Sequence, residues 1–332
     1  MRFVVFGAGG VGGVLGGRLH QQGHDVVLIA RGAHGEAIRN SGLQVESPEG
    51  AVMLSIETVA APSDVGWKDG DIALLSMKSQ DTANALRDLV DVASRDTPVV
   101  CVQNGVANER MALRLFPIVY GVCVMCPTSY LQPGVVQAHS TPVTGIMDIG
   151  RVPSGADATA TAIAGAFSES TYFSEARPDI MRWKHQKLLM NLSNAIEAAC
   201  GPSARGSEVA ARAKAEGIAV FQAAGIDYAS DEEDAARRGD HLRLRPIGEQ
   251  RRGGGSTWQS LARGAGTLET DFLNGEIVLL GRQYGVPTPV NELLQQLARE
   301  LVMAGAPPGS LSADSVLARL SPAEGGILPA ET

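Results

Sequence analysis

The chain has few cysteines and an excess of acidic over basic residues, and the charge excludes two classes of binding partner. Among 332 residues there are four cysteines, all inside apolar stretches, and the formal net charge is −8. Nucleic acids and anionic membranes attract a positive field, so we expect neither of them as a partner. Basic residues should therefore act locally.

Long apolar runs and export signals are also missing. No run reaches the roughly 18 apolar residues that a membrane span requires. The start at Met1 leads straight into a strand, without a charged segment and cleavage site. We expect a cytoplasmic protein.

Metal-ligand patterns are weak. Cys123 and Cys126 have C-x-x-C spacing, but they lie in the run Ile118–Pro127, which is typical of a strand, where residues three apart face opposite sides. We expect buried thiols, with metal or redox chemistry as the alternative. We predict no metal, and ordinary surface or helix positions for the histidines His20, His24, His34, His139, His185 and His241.

The length and the composition indicate a two-domain globular enzyme. The chain exceeds the roughly 250–300 residues at which single cores usually split. Hydrophobic residues make up 44% and charged residues 19%, enough for a sizeable core.

The first half alternates between strands and helices. Residues 2–6, a helix ending near Gly23 and the run Asp25–Ala30 form a β-α-β unit. Further predicted strands and helices follow in Ile72–Met77, Asp81–Ala93, Val99–Gln103, Ala107–Leu115 and Ile118–Cys126. This order predicts an α/β fold, a doubly wound Rossmann-type sheet over residues 1–176.

The second half, residues 177–332, is predicted to be an all-α domain. Its helical stretches are 179–200, 205–225, 256–285 and 288–304. We expect a long Arg/Gly-rich connection with solvated arginines at Arg237–Gly255, and a weakly ordered tail from Pro307. The apolar segment Ile277–Leu280 is the candidate interface of a homodimer.

A glycine-rich loop follows the first strand and opens the first helix. Its residues match G-x-G-x-x-G and are Gly7, Ala8, Gly9, Gly10, Val11 and Gly12. Such a loop brings the backbone and a helix N-terminus close to a pyrophosphate. The six residues are therefore predicted to bind a dinucleotide.

The end of the second strand favours NADP(H). An NAD site would place an acidic residue there for the ribose hydroxyls, but this strand ends with Ala30 and Arg31. A guanidinium suits a 2′-phosphate, although a solvated surface arginine is the alternative. Lys78 and Asn104 end two further strands and are expected to line the cleft, with an ordinary Asn-Gly turn as the alternative for Asn104.

A polar stripe follows in the first predicted helix of the second half. Lys187, Asn191 and Asn194 stand at i, i+4 and i+7 and would share one face of a mostly apolar helix. An anionic ligand would satisfy a desolvated ammonium there, while a solvated stripe is the commoner alternative.

Most of residues 1–290 resembles the ketopantoate reductase family, whose members reduce ketopantoate (2-dehydropantoate) to pantoate with NADPH. The likeness rests on Gly7–Gly12, Arg31, Met77-Lys78, Gln103-Asn104-Gly105, Trp183 with Lys187 and Asn191, Ser256–Gln259 and Glu269–Gly275. The resemblance implies Lys187 as the proton donor and Glu269 and Ser256 as substrate-binding residues. Glu269 would either accept a hydrogen bond from a substrate hydroxyl or hold the catalytic Lys187 in place. Asn191 is similar to the family's asparagine that contacts the small 2-keto acid substrate, and Lys78 and Asn104 are similar to residues of its cleft. Asn194, one place before the family's second asparagine, is expected as a slipped substrate contact.

Two positions depart from the family pattern. Ala195 stands where the family usually has a second asparagine, with Asn194 one place earlier, and Gly253 stands where it often has asparagine. A related reductase of another 2-oxo acid, carbonyl or imine is therefore the alternative function. A catalytically silent NADP-binding sensor is the alternative from another class.

Overall fold

The computed structural model describes residues 1–249 and 252–320. The strands, in chain order, are β1 (Arg2–Phe6), β2 (Asp25–Ile29), β3 (Leu43–Ser47), β4 (Gly50–Leu54), β5 (Glu57–Val59), β6 (Asp71–Leu75), β7 (Val99–Cys101), β8 (Val119–Met125), β9 (Thr128–Gln132), β10 (Val135–Ala138), β11 (Ser140–Pro142), β12 (Gly145–Arg151), β13 (Tyr172–Phe173) and β14 (Leu242–Leu244). The helices are α1 (Gly10–Gln21), α2 (Gly32–Ser41), α3 (Thr82–Val90), α4 (Ala107–Leu113), α5 (Ala158–Glu169), α6 (Ile180–Asn191), α7 (Asn194–Cys200), α8 (Glu208–Ala224), α9 (Asp231–Arg238), α10 (Ser256–Ala262), α11 (Asn274–Tyr284), α12 (Pro289–Met303) and α13 (Ala313–Ala318).

The internal contacts divide the chain into two units. One consists of Met1–Leu189 with Ile226–Gly253, and the other of Met190–Gly225 with the segment from Gly254 onward. This division differs from the predicted boundary at residue 177. Most of α6 groups with the first unit, because Lys184 on this helix donates hydrogen bonds to the backbone of Gln103 and Val122.

An eight-stranded sheet forms the centre of the first unit. Its order is β13-β12-β8-β7-β6-β1-β2-β5, and every neighbouring pair is parallel except β8 with β12. All five residues of β6 are buried, as expected for a parallel strand that is covered on both faces. The predicted Rossmann-type α/β class with a helical C-terminal region is confirmed.

Two smaller sheets complete the first unit. One has the order β4-β3-β10-β9, and the other pairs β11 with β14. Both were missed from the sequence. The first packs on the N-terminal part of α1, where a Cβ on Gly10 would lie 3.2 Å from Thr128 Oγ1 of β9.

The predicted connection Arg237–Gly255 is partly wrong. Arg237 is the penultimate residue of α9, and its buried guanidinium binds the carboxylate of Asp148 on β12. The expectation of solvated arginines fails for this residue because a buried acid lies within reach. Positions 250 and 251 lie outside the described residues.

In the second unit, two predicted helical stretches are interrupted. The stretch 179–200 breaks after Asn191, where the Ser193 hydroxyl donates to the Met190 carbonyl and Asn274 Nδ2 donates to the Leu192 carbonyl. These bonds replace helical ones, so Asn194 begins a new helix and the predicted continuous stripe is wrong. The stretch 256–285 is likewise split, into α10, a 3₁₀ turn over Glu269–Phe272, and α11.

The tail is more ordered than predicted up to its last described residue. Over 307–320, α13 is capped by Ser312, and Arg319 pairs with Glu300 of α12 at 2.9 Å. The rest of the tail, 321–332, lies outside the described residues.

The candidate dimer segment is largely internal to the second unit. Ile277, Val278 and Leu280 are buried, whereas Leu279 is 45% exposed. The homodimer therefore stays a prediction. Over the described ranges, no helix combines the length and the apolar character that crossing a bilayer demands.

Candidate active site

The glycine-rich loop joins β1 to α1 in the predicted place. Gly7 has φ +102°, and a Cβ there would lie 2.7 Å from the Met77 backbone nitrogen, so only glycine fits. The helix begins at Gly10, and Gly9 caps it without a side-chain hydrogen bond. The amides of the first turn are thus left to other acceptors.

Two glycines of the loop have opposite surroundings. A Cβ on Gly12 would collide with the carbonyl oxygen of Gly7 and the hydroxyl of Ser76. A Cβ on Gly9 would meet no atom within 4 Å. Gly12 therefore serves the packing of helix on strand, while Gly9 lies beside open space that a ligand can enter.

Lys78 and Asn104 lie at the same edge of the sheet as this loop. They follow β6, which neighbours β1, and β7, which neighbours β6, and both strands run parallel to β1. Gln103 Nε2 donates to the Met77 carbonyl at 3.0 Å, which ties the two strand ends together. Gly105 has φ +79°, so the Asn-Gly pair also bends the backbone here.

Arg31 follows β2 at this edge and caps α2. Its guanidinium pairs with Asp88 at 3.2 Å and lies 5.6 Å from the centre of the Phe6 ring. The side chain is 63% exposed, so the ion pair with Asp88 is a weak one that an anionic ligand can replace.

Lys187 lines a small pocket within the first unit. The pocket is bounded by Gln103, Asn104, Gly105, Val122, Cys123, Val124, Lys184 and Lys187. The structure therefore brings the predicted proton donor and Asn104 to one place, at the carboxyl end of β7.

A second lysine at this pocket was missed by sequence reasoning. Lys184 lies one helical turn before Lys187, and its Nζ is 2.8 Å from Glu109 Oε1 on α4, with both side chains buried. It also donates to the carbonyls of Gln103 and Val122, at 2.8 and 3.0 Å. Lys184 is thus held by the protein. The pairing joins residues 75 positions apart, so the local pattern carried no sign of it.

The other predicted site residues belong to the second unit. Asn194 opens α7, and its side-chain oxygen accepts a hydrogen bond from Arg205 at 2.7 Å. Arg205 also binds Glu197 at 2.6 Å, and Glu197 accepts from the backbone amide of Gly255. Sequence reasoning gave Glu197 and Arg205 no role, yet they hold the residue directly before Ser256.

Ser256 begins α10, and Glu269 lies in the 3₁₀ turn. The Ser256 hydroxyl oxygen is buried and makes no hydrogen bond within 1–249 and 252–320. A buried hydroxyl normally has a partner, so this one is suited to a ligand. Glu269 is buried, and Asn191, the last residue of α6, is buried as well.

The cysteines behave as thiols. Cys123 lies on β8, whereas Cys126 follows it, and the cysteines are all free. Burial raises the pKa of both thiols to about 12, which disfavours the thiolate that metal binding and redox chemistry need. Within the described part of the chain, no group of three or more His, Cys, Asp or Glu residues is arranged to hold a metal ion.

Two family models together match most of the chain. The model described as ketopantoate reductase PanE/ApbA matches residues 3–154, and the model of its C-terminal part matches residues 179–302. The chain belongs to the ketopantoate reductase family. The resemblance noted from the motifs is therefore confirmed, and the chain is an oxidoreductase.

Individual ketopantoate reductases agree over nearly their full length. The chain is 30% identical over 307 residues to 2-dehydropantoate 2-reductase of Pyrococcus horikoshii, covering 90% of this chain and 97% of that protein. It matches the crystal structure of a PanE/ApbA family ketopantoate reductase from Ralstonia eutropha with a TM-score of 0.77 and 29% identity, over 92% of this chain and 99% of that one.

A similar fold also occurs in a protein named for a different substrate. The structure of D-mandelate dehydrogenase with NADH and anilino(oxo)acetate matches with a TM-score of 0.77 at 23% identity, over 92% of this chain and 99% of that one. This likeness concerns the fold alone. Family membership therefore leaves the substrate to be argued from the site.

Proposed function

We propose that this chain is a 2-dehydropantoate 2-reductase that reduces ketopantoate to pantoate with NADPH, in the cytoplasm and on the route to pantothenate. The observation that carries the proposal is the position of Lys187. It lines a pocket with Asn104 at the sheet edge that also bears the glycine-rich loop. The relatives named 2-dehydropantoate 2-reductase support the substrate.

The residues at the sheet edge fit a dinucleotide. The space beside Gly9 admits a pyrophosphate, the first turn of α1 offers amides, and Lys78 follows the neighbouring strand. When bound, the nicotinamide supplies a hydride to the keto carbon. No acidic residue stands directly after β2, where Ala30 and Arg31 follow, and Arg31 is suited to a 2′-phosphate, which favours NADPH over NADH.

Lys187 would act as the general acid. As hydride reaches the keto carbon, the carbonyl oxygen becomes an alkoxide that needs a proton. An ammonium both stabilises the developing negative charge and donates that proton from Nζ. Lys184 is unsuited to this role because Glu109 and two carbonyl oxygens already hold its ammonium.

Substrate contacts would come from the second unit. The buried hydroxyl of Ser256 and the amide of Asn191 can donate hydrogen bonds to a carboxylate. Glu269 can accept from a substrate hydroxyl, which ketopantoate carries and simpler 2-keto acids lack. Selectivity for ketopantoate would therefore depend on Glu269.

A second candidate is the reduction of a different 2-oxo acid. The family's second asparagine is replaced by buried Ala195, and the side-chain oxygen of Asn194 already accepts from Arg205. This arrangement supports the loss of one substrate contact. A 2-oxo acid without a matching polar group would then be the better substrate.

The test is NADPH oxidation, followed by its absorbance, with ketopantoate, pyruvate and branched 2-keto acids. We expect turnover with ketopantoate, lowered about 100-fold or more in Lys187→Ala because general acids contribute factors of that size. Lys68→Ala, an exposed lysine before β6, is the matched control and should keep native activity. Glu269→Ala should lose ketopantoate reduction more than pyruvate reduction.

Each result separates the candidates. Inert ketopantoate alongside fast reduction of another 2-keto acid would favour the second candidate. NADPH binding without turnover of any 2-keto acid would refute both and leave a cofactor-binding sensor. Arg31→Ala should lower affinity for NADPH about tenfold or more and leave that for NADH unchanged, as the loss of a charge-assisted pair predicts.

A further inference from the structure

His34 connects three separate parts of the first unit. It lies in the first turn of α2, three residues after Arg31, and its side chain is buried. Its Nε2 is 2.7 Å from the carbonyl oxygen of Ala8 in the glycine-rich loop. Its Nδ1 is 2.9 Å from the backbone nitrogen of Gly134, in the turn between β9 and β10. Of the two expected positions, surface or helix, His34 takes the helical one, but its side chain is buried and bonded at both ring nitrogens.

The two contacts determine which ring nitrogen carries the proton. A backbone N–H can only donate, so Nδ1 must accept and is unprotonated. A carbonyl oxygen can only accept, so Nε2 carries the proton and donates to Ala8. Burial lowers the pKa of His34, in agreement with the neutral ring that this pattern requires.

The turn that holds His34 is itself fixed. Gly134 has φ +78°, and its carbonyl accepts a hydrogen bond from the backbone nitrogen of Gln44 at 2.9 Å. The ring of Tyr130 on β9 lies 4.4 Å from the imidazole, centre to centre. The four-stranded sheet thus orients the His34 ring. The ring in turn fixes the Ala8 carbonyl of the glycine-rich loop.

The Ala8 carbonyl belongs to the same planar peptide unit as the Gly9 amide. In a trans peptide the C=O and the N–H point in opposite directions, so holding the oxygen of Ala8 aims the Gly9 N–H away from His34. Gly9 is the glycine with open space beside it. A loop of three glycines in four residues has little rigidity of its own, so an external bond to one carbonyl is an effective restraint.

We propose that His34 is a positioning residue for the cofactor loop, and that it holds the Ala8–Gly9 peptide in the orientation in which the loop binds the NADPH pyrophosphate. The inference rests on the proposed function. It makes His34 a determinant of cofactor affinity, without a role in proton transfer or in recognition of the keto acid.

The experiment compares native protein with His34→Phe, His34→Gln and His34→Asn. Phenylalanine keeps an aromatic ring but removes both hydrogen bonds, glutamine has a donor and an acceptor of similar reach, and asparagine is too short to reach both partners. His20→Phe, on α1, is the matched control. Kd for NADPH is measured by calorimetry, and kcat and both KM values by NADPH oxidation.

We expect Kd for NADPH to rise about tenfold in His34→Phe, as for the loss of one or two hydrogen bonds. The kcat at saturating NADPH and KM for the keto acid should stay within about twofold, and glutamine should restore most of the affinity. Should the phenylalanine variant not fold, a higher affinity of His34→Gln than of His34→Asn is the expected result.

Other results would overturn the inference. Equal NADPH affinity of native protein and folded His34→Phe would refute the inference. Equal NADPH affinity of the glutamine and asparagine variants would also refute it. A fall in kcat with unchanged Kd would assign His34 a different role. Failure of the native protein to bind NADPH would instead refute the proposed function itself, and this inference with it.

Discussion

Replacing Asp148 with alanine should destabilise the first unit strongly. The carboxylate of Asp148 on β12 accepts from Arg177 Nε at 2.6 Å, from Arg237 Nε at 2.7 Å and from the Glu175 amide at 2.9 Å. The Asp148 side chain is 3% exposed and that of Arg237 is 7% exposed. One buried acid therefore pairs with two arginines.

The loss of stability depends on the contacts that Arg177 and Arg237 retain when Asp148 is removed. Removing one partner of a buried ion pair costs about 3–5 kcal/mol because a charge is left uncompensated. Arg237 still stacks on Phe173 at 3.8 Å, Arg177 still lies over Trp183 at 4.3 Å, and both retain the exposed Glu175. We therefore expect the lower end, about 3 kcal/mol, which corresponds to a fall in Tm of roughly 6–12 °C.

The assay is urea and thermal unfolding followed by circular dichroism. Glu175→Ala is the matched control, because Glu175 binds the same two arginines but is 53% exposed, and exposed pairs contribute at most about 1 kcal/mol. Activity should fall together with stability. Arg177, which Asp148 holds, lies over Trp183, and Trp183 is on α6, the helix that bears Lys187. A loss in Asp148→Ala that is within 1 kcal/mol of the control would refute the reasoning.

Three further predictions concern the loop, the thiols and pH. Gly12→Ala should cost about 1–3 kcal/mol of stability because its Cβ collides with Gly7 and Ser76, whereas Gly9→Ala should keep the native Tm and lose NADPH affinity; equal Tm losses in thermal melts would contradict this. Iodoacetamide at pH 8 should label the half-buried Cys200 before Cys101 and Cys123, as peptide mass spectrometry would show, because burial keeps the latter two protonated. Burial lowers the pKa of His185 from 6.5 to about 4, so between these values the unfolded chain binds a proton that the folded chain does not; stability should fall as the pH drops through this window, and His185→Asn should flatten the fall in urea titrations.

The elements that could be predicted from the sequence carry their signal locally. The strand, glycine loop, helix and second strand at the N-terminus follow from periodicity and turn chemistry within about 30 residues. The parallel sheet follows from their repetition. Asn104 follows β7 at the carboxyl edge of the sheet, and Lys187 on α6 lines the same pocket.

The missed features depend on distant partners. The break after Asn191 is satisfied by Asn274, 82 positions beyond Leu192. The pairs Lys184 with Glu109 and His34 with Gly134 span 75 and 100 positions. The strands of the four-stranded sheet are only four or five residues long, and β4 and the end of β9 are largely exposed, so each strand gives a weak signal, although burial alternates in β3 and β10. Periodicity within one segment carries no information about such contacts.

The bond between Glu197 and the Gly255 amide has a consequence for how this chain can tolerate changes in the preceding loop. Glu197 accepts a hydrogen bond from the backbone amide just before α10, and Arg205 forms a salt bridge with Glu197. Insertions or deletions before Gly254 then end at a fixed anchor instead of shifting the helix. The segment before Gly254 can thus vary in length and composition while Ser256 keeps its place, which uncouples loop diversification from retention of the serine.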